Sequence, residues 1–250
     1  MKFPNVLFMC NKNIDKKTLT YSKNWKRLNP NISIRLCDNK LCEFFLLNEF
    51  SPLHRDIFNF IKHGPIKADF WRVCVLYKYG GIYSDIDNEP LVPLDEFIDP
   101  LVDFVTCSSF SKRFMFNPNL ILCNKENPII KKCIDWYVEK YINKHPYNYW
   151  DWSIMNAFSS TIHINNYNRE EGIYNYNNMK IQIIKEIKGK THSNDHNVYK
   201  NRKIFNNRYK DWNSNTHAFD ENASYKNRPT LETMSFCNIV NINKHYMKLK

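Results

Sequence analysis

The chain has 250 residues and a formal net charge of +11 at pH 7. That length supports one domain, residues 1–250, with a full hydrophobic core, and a 15% aromatic content excludes a disordered chain. The charge suits an anionic partner, whether a nucleotide-sugar, an acidic glycan, an acidic membrane surface or a nucleic acid, but the lysines are scattered and charge alone does not choose among them.

The eight cysteines, Cys10, Cys37, Cys42, Cys74, Cys107, Cys123, Cys133 and Cys237, form no C-x-x-C pair, and several fall in apolar runs. The pattern predicts reduced, packed thiols, not a zinc site or a disulfide framework. With no signal peptide and no apolar run of about 18 residues, the expectation is a soluble, cytoplasmic protein.

Phe3 to Cys10 reads as a buried first strand. Thr18 to Leu28 fits a helix with Trp25 on its apolar side, ended by Asn29-Pro30. Asn31 to Leu36 alternates as a strand does, with Asp38 just beyond it. Strand, helix, strand is the start of an open α/β sheet, whose nucleotide pockets lie at the carboxyl ends of the strands. Leu41 to Ile61 is helical in pattern, broken in two by Pro52.

The most informative stretch follows: Lys67-Ala68-Asp69-Phe70-Trp71-Arg72, then Leu76-Tyr77-Lys78-Tyr79-Gly80-Gly81-Ile82-Tyr83-Ser84-Asp85-Ile86-Asp87, then Pro90-Leu91. Pro65 is tolerated in a first helical turn, and no residue from Lys67 to Tyr79 breaks the helix. Gly80 and Gly81 allow the chain to stop the helix and reverse. Ile82-Tyr83-Ser84 is β-prone, and strand alternation would put Asp85 and Asp87 on one face. Two adjacent aspartates repel one another, and a hard divalent cation with oxygen ligands, Mn²⁺ or Mg²⁺, relieves the repulsion. Asp69 and Arg72 stand one helical turn apart. A carboxylate and a guanidinium there suit sugar hydroxyls, although an isolated pair of this kind is ordinarily a surface salt bridge.

Beyond Pro93, Asp103 to Cys107 and Asn119 to Cys123 read as strands, and Pro128 opens a helix to Ile142. His145 to Phe158 holds Tyr147, Tyr149, Trp150, Asp151 and Trp152, which fits either a sugar-stacking surface or core aromatics. Residues 165–210 are rich in Asn and Lys and read as a polar insertion or loop-rich excursion, with Met179 to Ile184 a candidate strand. His192 and His196 have helical spacing, but Ser-Asn-Asp between them favours a solvated loop.

Lys-Ala-Asp-x-x-Arg, then Leu-Tyr-x-Tyr-Gly-Gly-Ile-Tyr-x-Asp-x-Asp, then Pro-Leu closely resembles the signature of the DXD-containing sugar-transferase family. That family includes fungal Golgi mannosyltransferases, capsular polysaccharide transferases and, more distantly, glucosylating bacterial toxins. The resemblance implies an α/β fold, a GT-A-like open mixed sheet flanked by helices. It also implies a hexosyltransferase that uses a UDP- or GDP-sugar and a divalent metal, retains the anomeric configuration, and serves a glycan, protein or lipid acceptor. The implied catalytic set is Asp69, Arg72, Asp85 and Asp87. The implied donor contacts are Asn11, Asp69, Arg72, Gly81, Tyr83, Asp85 and Ser224, and the implied metal ligands are Asp85, Asp87 and His217. Departures from the family pattern are the missing histidine after the first strand, the missing Gly-Pro ahead of the aromatic cluster, and Tyr225 in place of a tryptophan. A relative that binds nucleotide-sugar without transferring it is the second reading. A basic nucleic-acid-binding protein is the third, and no nucleic acid is expected, because the lysines form no stripe.

Overall fold

The computed structural model describes residues 2–191 and 194–209. The chain enters through β1 (Val6–Cys10), then α1 (Lys16–Leu28), β2 (Ser33–Cys37), α2 (Asn39–Glu49), α3 (Pro52–Phe60), α4 (Gly64–Tyr79) and β3 (Gly81–Ser84). It continues with β4 (Glu89–Pro90), β5 (Phe104–Cys107), β6 (Leu120–Cys123), α5 (Pro128–Ile142) and α6 (Ile154–Thr161). β7 (Gly172–Tyr176), β8 (Met179–Ile187), β9 (His196–Tyr199) and β10 (Arg202–Asn206) follow among the described residues.

Local chemistry sets the helix ends. Asp15 caps α1 by accepting from the Thr18 N–H at 2.7 Å, and Asp38 caps α2 by accepting from the Leu41 N–H at 2.9 Å. Pro52 and Pro65 occupy the first turns of α3 and α4, where a missing N–H costs nothing. The expected break at Pro52 is therefore a boundary between two helices. Gly80 ends α4 at φ 64° and ψ −163°, a region open essentially to glycine alone.

The strands form one mixed sheet, in the order β2-β1-β3-β6-β5-β8-β9-β10-β4, with β7 also paired to β8. β1 runs parallel to both β2 and β3, and β6 runs antiparallel to β3 and β5. Alternation sends Phe8, Cys10, Tyr83, Phe104 and Ile121 to one face, against α2–α6. Leu7, Met9, Ile82, Val105 and Leu122 point to the other, where Trp25 of α1 and Phe205 of β10 meet them. α4 is buried along most of its length, charged residues included, and Lys67 is satisfied there by donating to the Phe58 carbonyl at 2.9 Å. No helix among the described residues is long and apolar enough to cross a membrane.

The described residues of the stretch 165–210, expected as a polar insertion or loop-rich excursion, contain regular strands. They supply β7 to β10, and β8 pairs in parallel with β5 inside the main sheet. Much of the Asn and Lys wealth belongs to turns and outward positions, although Asn197 of β9 is buried. Asn177 and Asn178 stand at φ 44° and 63° between β7 and β8, and Lys200 and Asn201 at φ 50° and 60° between β9 and β10. Paired positive φ angles are the mark of type I′ hairpins.

Candidate active site

β3 ends at Ser84, so Asp85 and Asp87 do not sit on a strand as alternation had suggested. They lie in a turn closed by the Asn88 N–H donating to the Asp85 carbonyl at 3.2 Å. The Asn119 carbonyl fixes this turn from the start of β6. It accepts the Asp85 N–H and the Asn88 side-chain amide, both at 2.9 Å. Trp25 donates its indole N–H to the Asn88 carbonyl at 3.3 Å.

Arg72 organises the space beside the turn. One terminal nitrogen stands 2.6 Å from Asp69 and 2.9 Å from Asp85, and the other donates to the Pro118 carbonyl at 2.7 Å. The guanidinium lies 4.3 Å from the centre of the Tyr83 ring. The second oxygen of Asp69 accepts the Ile154 N–H at 3.0 Å, at the first residue of α6. The Asp69–Arg72 pair is thus a buried bridge from α4 to α6 and to the Asp85 turn, not a surface salt bridge.

These groups line a cleft of about 550 Å³. It opens at the carboxyl ends of β1 and β3, and the order β2-β1-β3 makes this a topological switch point, where open α/β sheets take their ligands. Of the three carboxylates, Asp85 and Asp87 keep 30% and 21% of their side-chain surface open, and Asp69 only 9%. A ligand in the cleft therefore meets the two turn aspartates first.

Burial pushes the Asp69 carboxyl up to about 6 against the pull of Arg72. Asp85 is raised by burial and held back by Arg72 and by the Tyr83 hydroxyl. Burial, with Asp85 adding to it, lifts Asp87 to about 7. Among the described residues, the cation in ion-pair range of Asp87 is Arg208, at 3.9 Å. A carboxylate pair in an open cleft with more negative charge than its neighbours neutralise fits a hard divalent cation. No group of three or more His, Cys, Asp or Glu residues arranged to hold a metal occurs among the described residues. A cation that uses one or two carboxylates and completes its shell with phosphate oxygens and water needs no such group.

The cleft gathers Asn11, Asp69, Arg72, Tyr83, Asp85 and Asp87. Asn11 is at the end of β1, donating to Thr18 Oγ1 at 3.3 Å. Gly81 is not in the cleft. It begins β3 at φ 102°, and a Cβ there would stand 2.7 Å from the Val6 carbonyl oxygen, so its part is to let β3 approach β1. His217 and Ser224 lie outside the described residues, as does His192, while His196 belongs to β9. Sequence reasoning missed Glu186, Asn119 and Arg208, all of which reach the cleft from later strands and loops. Their one sequence signal is a polar residue interrupting or ending an apolar strand.

Residues 15–103 match the family model described as the glycosyltransferase sugar-binding region containing the DXD motif. The initiation-specific alpha-1,6-mannosyltransferase of Candida albicans is 32% identical over 89 residues, 35% of this chain and 23% of that protein. Its Saccharomyces cerevisiae counterpart is 34% identical over 89 residues, 34% of this chain and 18% of that protein. An uncharacterized glycosyltransferase of Acanthamoeba polyphaga mimivirus, L373, is 32% identical over 78 residues, 31% of each chain. The chain thus spans a quarter or less of the length of the fungal relatives it matches. The solved structure of the PaToxG glycosyltransferase superposes with a TM-score of 0.51 over 64% of this chain and 68% of that one, at 18% identity. The fold is accordingly the GT-A-like α/β architecture. Over residues 15–103, with Asp69, Arg72, Asp85 and Asp87 among them, the chain is similar to the glycosyltransferases whose sugar-binding region contains the DXD motif.

Proposed function

We propose that residues 1–250 act as one glycosyltransferase domain, moving a hexose from a UDP- or GDP-sugar to a glycan, protein or lipid acceptor with retention of configuration. The observation that carries this reading is the joining of Asp69, Arg72 and Asp85 by one buried guanidinium, with Asp87 beside them at the switch point of the sheet. Asp85 and Asp87 would hold Mn²⁺ or Mg²⁺, which, when bound, supplies Lewis-acid neutralisation of the leaving diphosphate.

The protein's own groups do the rest. Arg72 fixes the Asp85 carboxylate and screens it from Asp69, so the turn is set before a donor arrives. Asp69, nearly closed off, presents its remaining lone pairs to sugar hydroxyls. Asn11, which lines the cleft just after β1, would contact the nucleotide of the donor. The buried thiols Cys74, Cys107 and Cys123 support a reducing, cytoplasmic setting.

A screen of purified protein against UDP- and GDP-sugars with Mn²⁺, read as nucleoside diphosphate released, tests the proposal. Turnover of one donor is expected, and Asp87→Asn should cut it about a hundredfold or more, as should a chelator. Turnover that survives both would overturn the assignment.

A further inference from the structure

The aromatic cluster of residues 147–152 is divided by the fold. Trp152 is fully buried, tilted against Phe60 at 5.1 Å and donating its indole N–H to the Pro146 carbonyl at 3.0 Å. Tyr147 packs on Phe60 and hydrogen-bonds His63 at 2.9 Å. Both are structural. Trp150 is different: it remains 46% exposed, lines the cleft, and rests on Phe114 with ring centres 5.8 Å apart. The loop that carries Phe114 also presents Phe110, 38% exposed and lining the same cleft.

The sheet order says which end of the cleft this is. Ser84 is in register with Leu120, so the start of β6 and the end of β5 lie at the same sheet edge as the Asp85 turn. Going outward from that turn, the ends of β1 and β2 stand on one side and the β5–β6 connection with Phe110 and Phe114 on the other. A donor with its nucleotide over β1 and β2 and its diphosphate at the aspartates leaves the aromatic end for the second substrate.

We propose that Trp150 and Phe110 form the acceptor subsite, and that its ligand is a neutral hexose ring of a glycan. This rests on the transferase reading of the cleft. The apolar face of a sugar ring stacks on an aromatic ring, while its hydroxyls need paired donors and acceptors at the edge. Both are present. Arg113 and Asp151, 3.0 Å apart and half exposed, flank the platform with one donor group and one acceptor group. Because they neutralise each other, this pair adds no net charge beside Trp150, which suits an uncharged, hydroxyl-rich ligand, and Lys188, whose Nζ stands 6.0 Å from the centre of the Phe110 ring, offers a further donor. Ser111 adds a hydroxyl to the same wall.

The test is calorimetric titration of the full chain with mannotriose, cellotriose and chitotriose in the presence of nucleoside diphosphate and Mn²⁺. At least one trisaccharide should bind. Trp150→Ala should weaken it about tenfold, Trp150→Phe should restore most of the affinity, and an unchanged dissociation constant for the nucleoside diphosphate would show that the variant is folded. In turnover, the acceptor KM should rise more than kcat falls. Absence of binding by all three sugars, affinity indifferent to Trp150→Ala, or transfer confined to a protein acceptor would overturn the proposal. Trp150-dependent sugar binding without nucleotide binding would keep the sugar site and remove the transferase reading.

Discussion

Arg72 is the residue on which the site's electrostatics converge. It is buried, and it answers two carboxylates and one carbonyl at distances of 2.6–2.9 Å. Removing such a cation leaves uncompensated charge in the interior, which costs far more than a surface pair returns. Arg72→Met should lower stability by about 3–5 kcal/mol, measured as a shift of the urea midpoint at unchanged slope. Adding Asp69→Asn should recover part of the loss, since the stranded negative charge is then reduced. At this scale the sequence was informative, because Asp69, Arg72, Asp85 and Asp87 lie close together in the chain. Glu186 and Arg208 were not legible. A polar residue that breaks or follows an apolar strand is too common to mark them, and only the pairing of distant strands brings them to the cleft.

At the scale of elements, the unit that places these residues is α4, the two glycines and β3. Gly80 does more than allow a turn: a Cβ on it would stand 2.5 Å from the Lys125 backbone nitrogen, and its dihedral angles are closed to other residues. Gly80→Ala should therefore cost about 2 kcal/mol or more, visible as a lower Tm, and should weaken the proposed binding of a cation because the Asp85 turn hangs from the end of β3. This unit was legible from its glycines, its helix length and its short β-prone strand. The hairpins of β7–β10 were not. Their turns are Asn-Asn and Lys-Asn, which lack the glycine that usually announces a type I′ turn. Their strands also carry Lys at outward positions, which blurs the alternation. The aspartate turn was misplaced for a related reason: alternation describes a strand, and β3 is only four residues long.

For the molecule as a whole, the opening β-α-β order was readable, but the crossing of β5, β8, β9, β10 and β4 was not, since partner choice between remote strands leaves little trace in local pattern. Glu186 of β8 helps hold this half together. Its carboxylate accepts from Asn117 and Asn207 side chains and from the Phe110 N–H, tying β8 to the β5–β6 loop and to the segment after β10. Burial lifts this carboxyl from its ordinary 4.5 to about 7. Between those values the folded chain keeps a proton that the unfolded chain releases, so this group's contribution to stability falls as pH rises through the window and levels off above about 7. Denaturation midpoints collected from pH 4.5 to 8 should show that decline, and Glu186→Gln should flatten it while lowering the midpoint, because an amide N–H₂ would face the Phe110 N–H.

β4 follows the aspartate turn directly, yet its partner is β10, and the Glu89–Asn206 contact closes a separation of 117 residues. On the ribosome, the whole stretch that matches the sugar-transferase family is translated before β5, β6, β8 or β10 exists. β3 then has one side without its β6 neighbour, and the turn after it lacks the Asn119 carbonyl that fixes it. Nascent chains of intermediate length must therefore carry an open, apolar sheet edge until β6, and then β8, has been made. The cleft is among the last features to form, which makes this a chain whose yield should depend on elongation speed and on chaperones that shield unpaired strands.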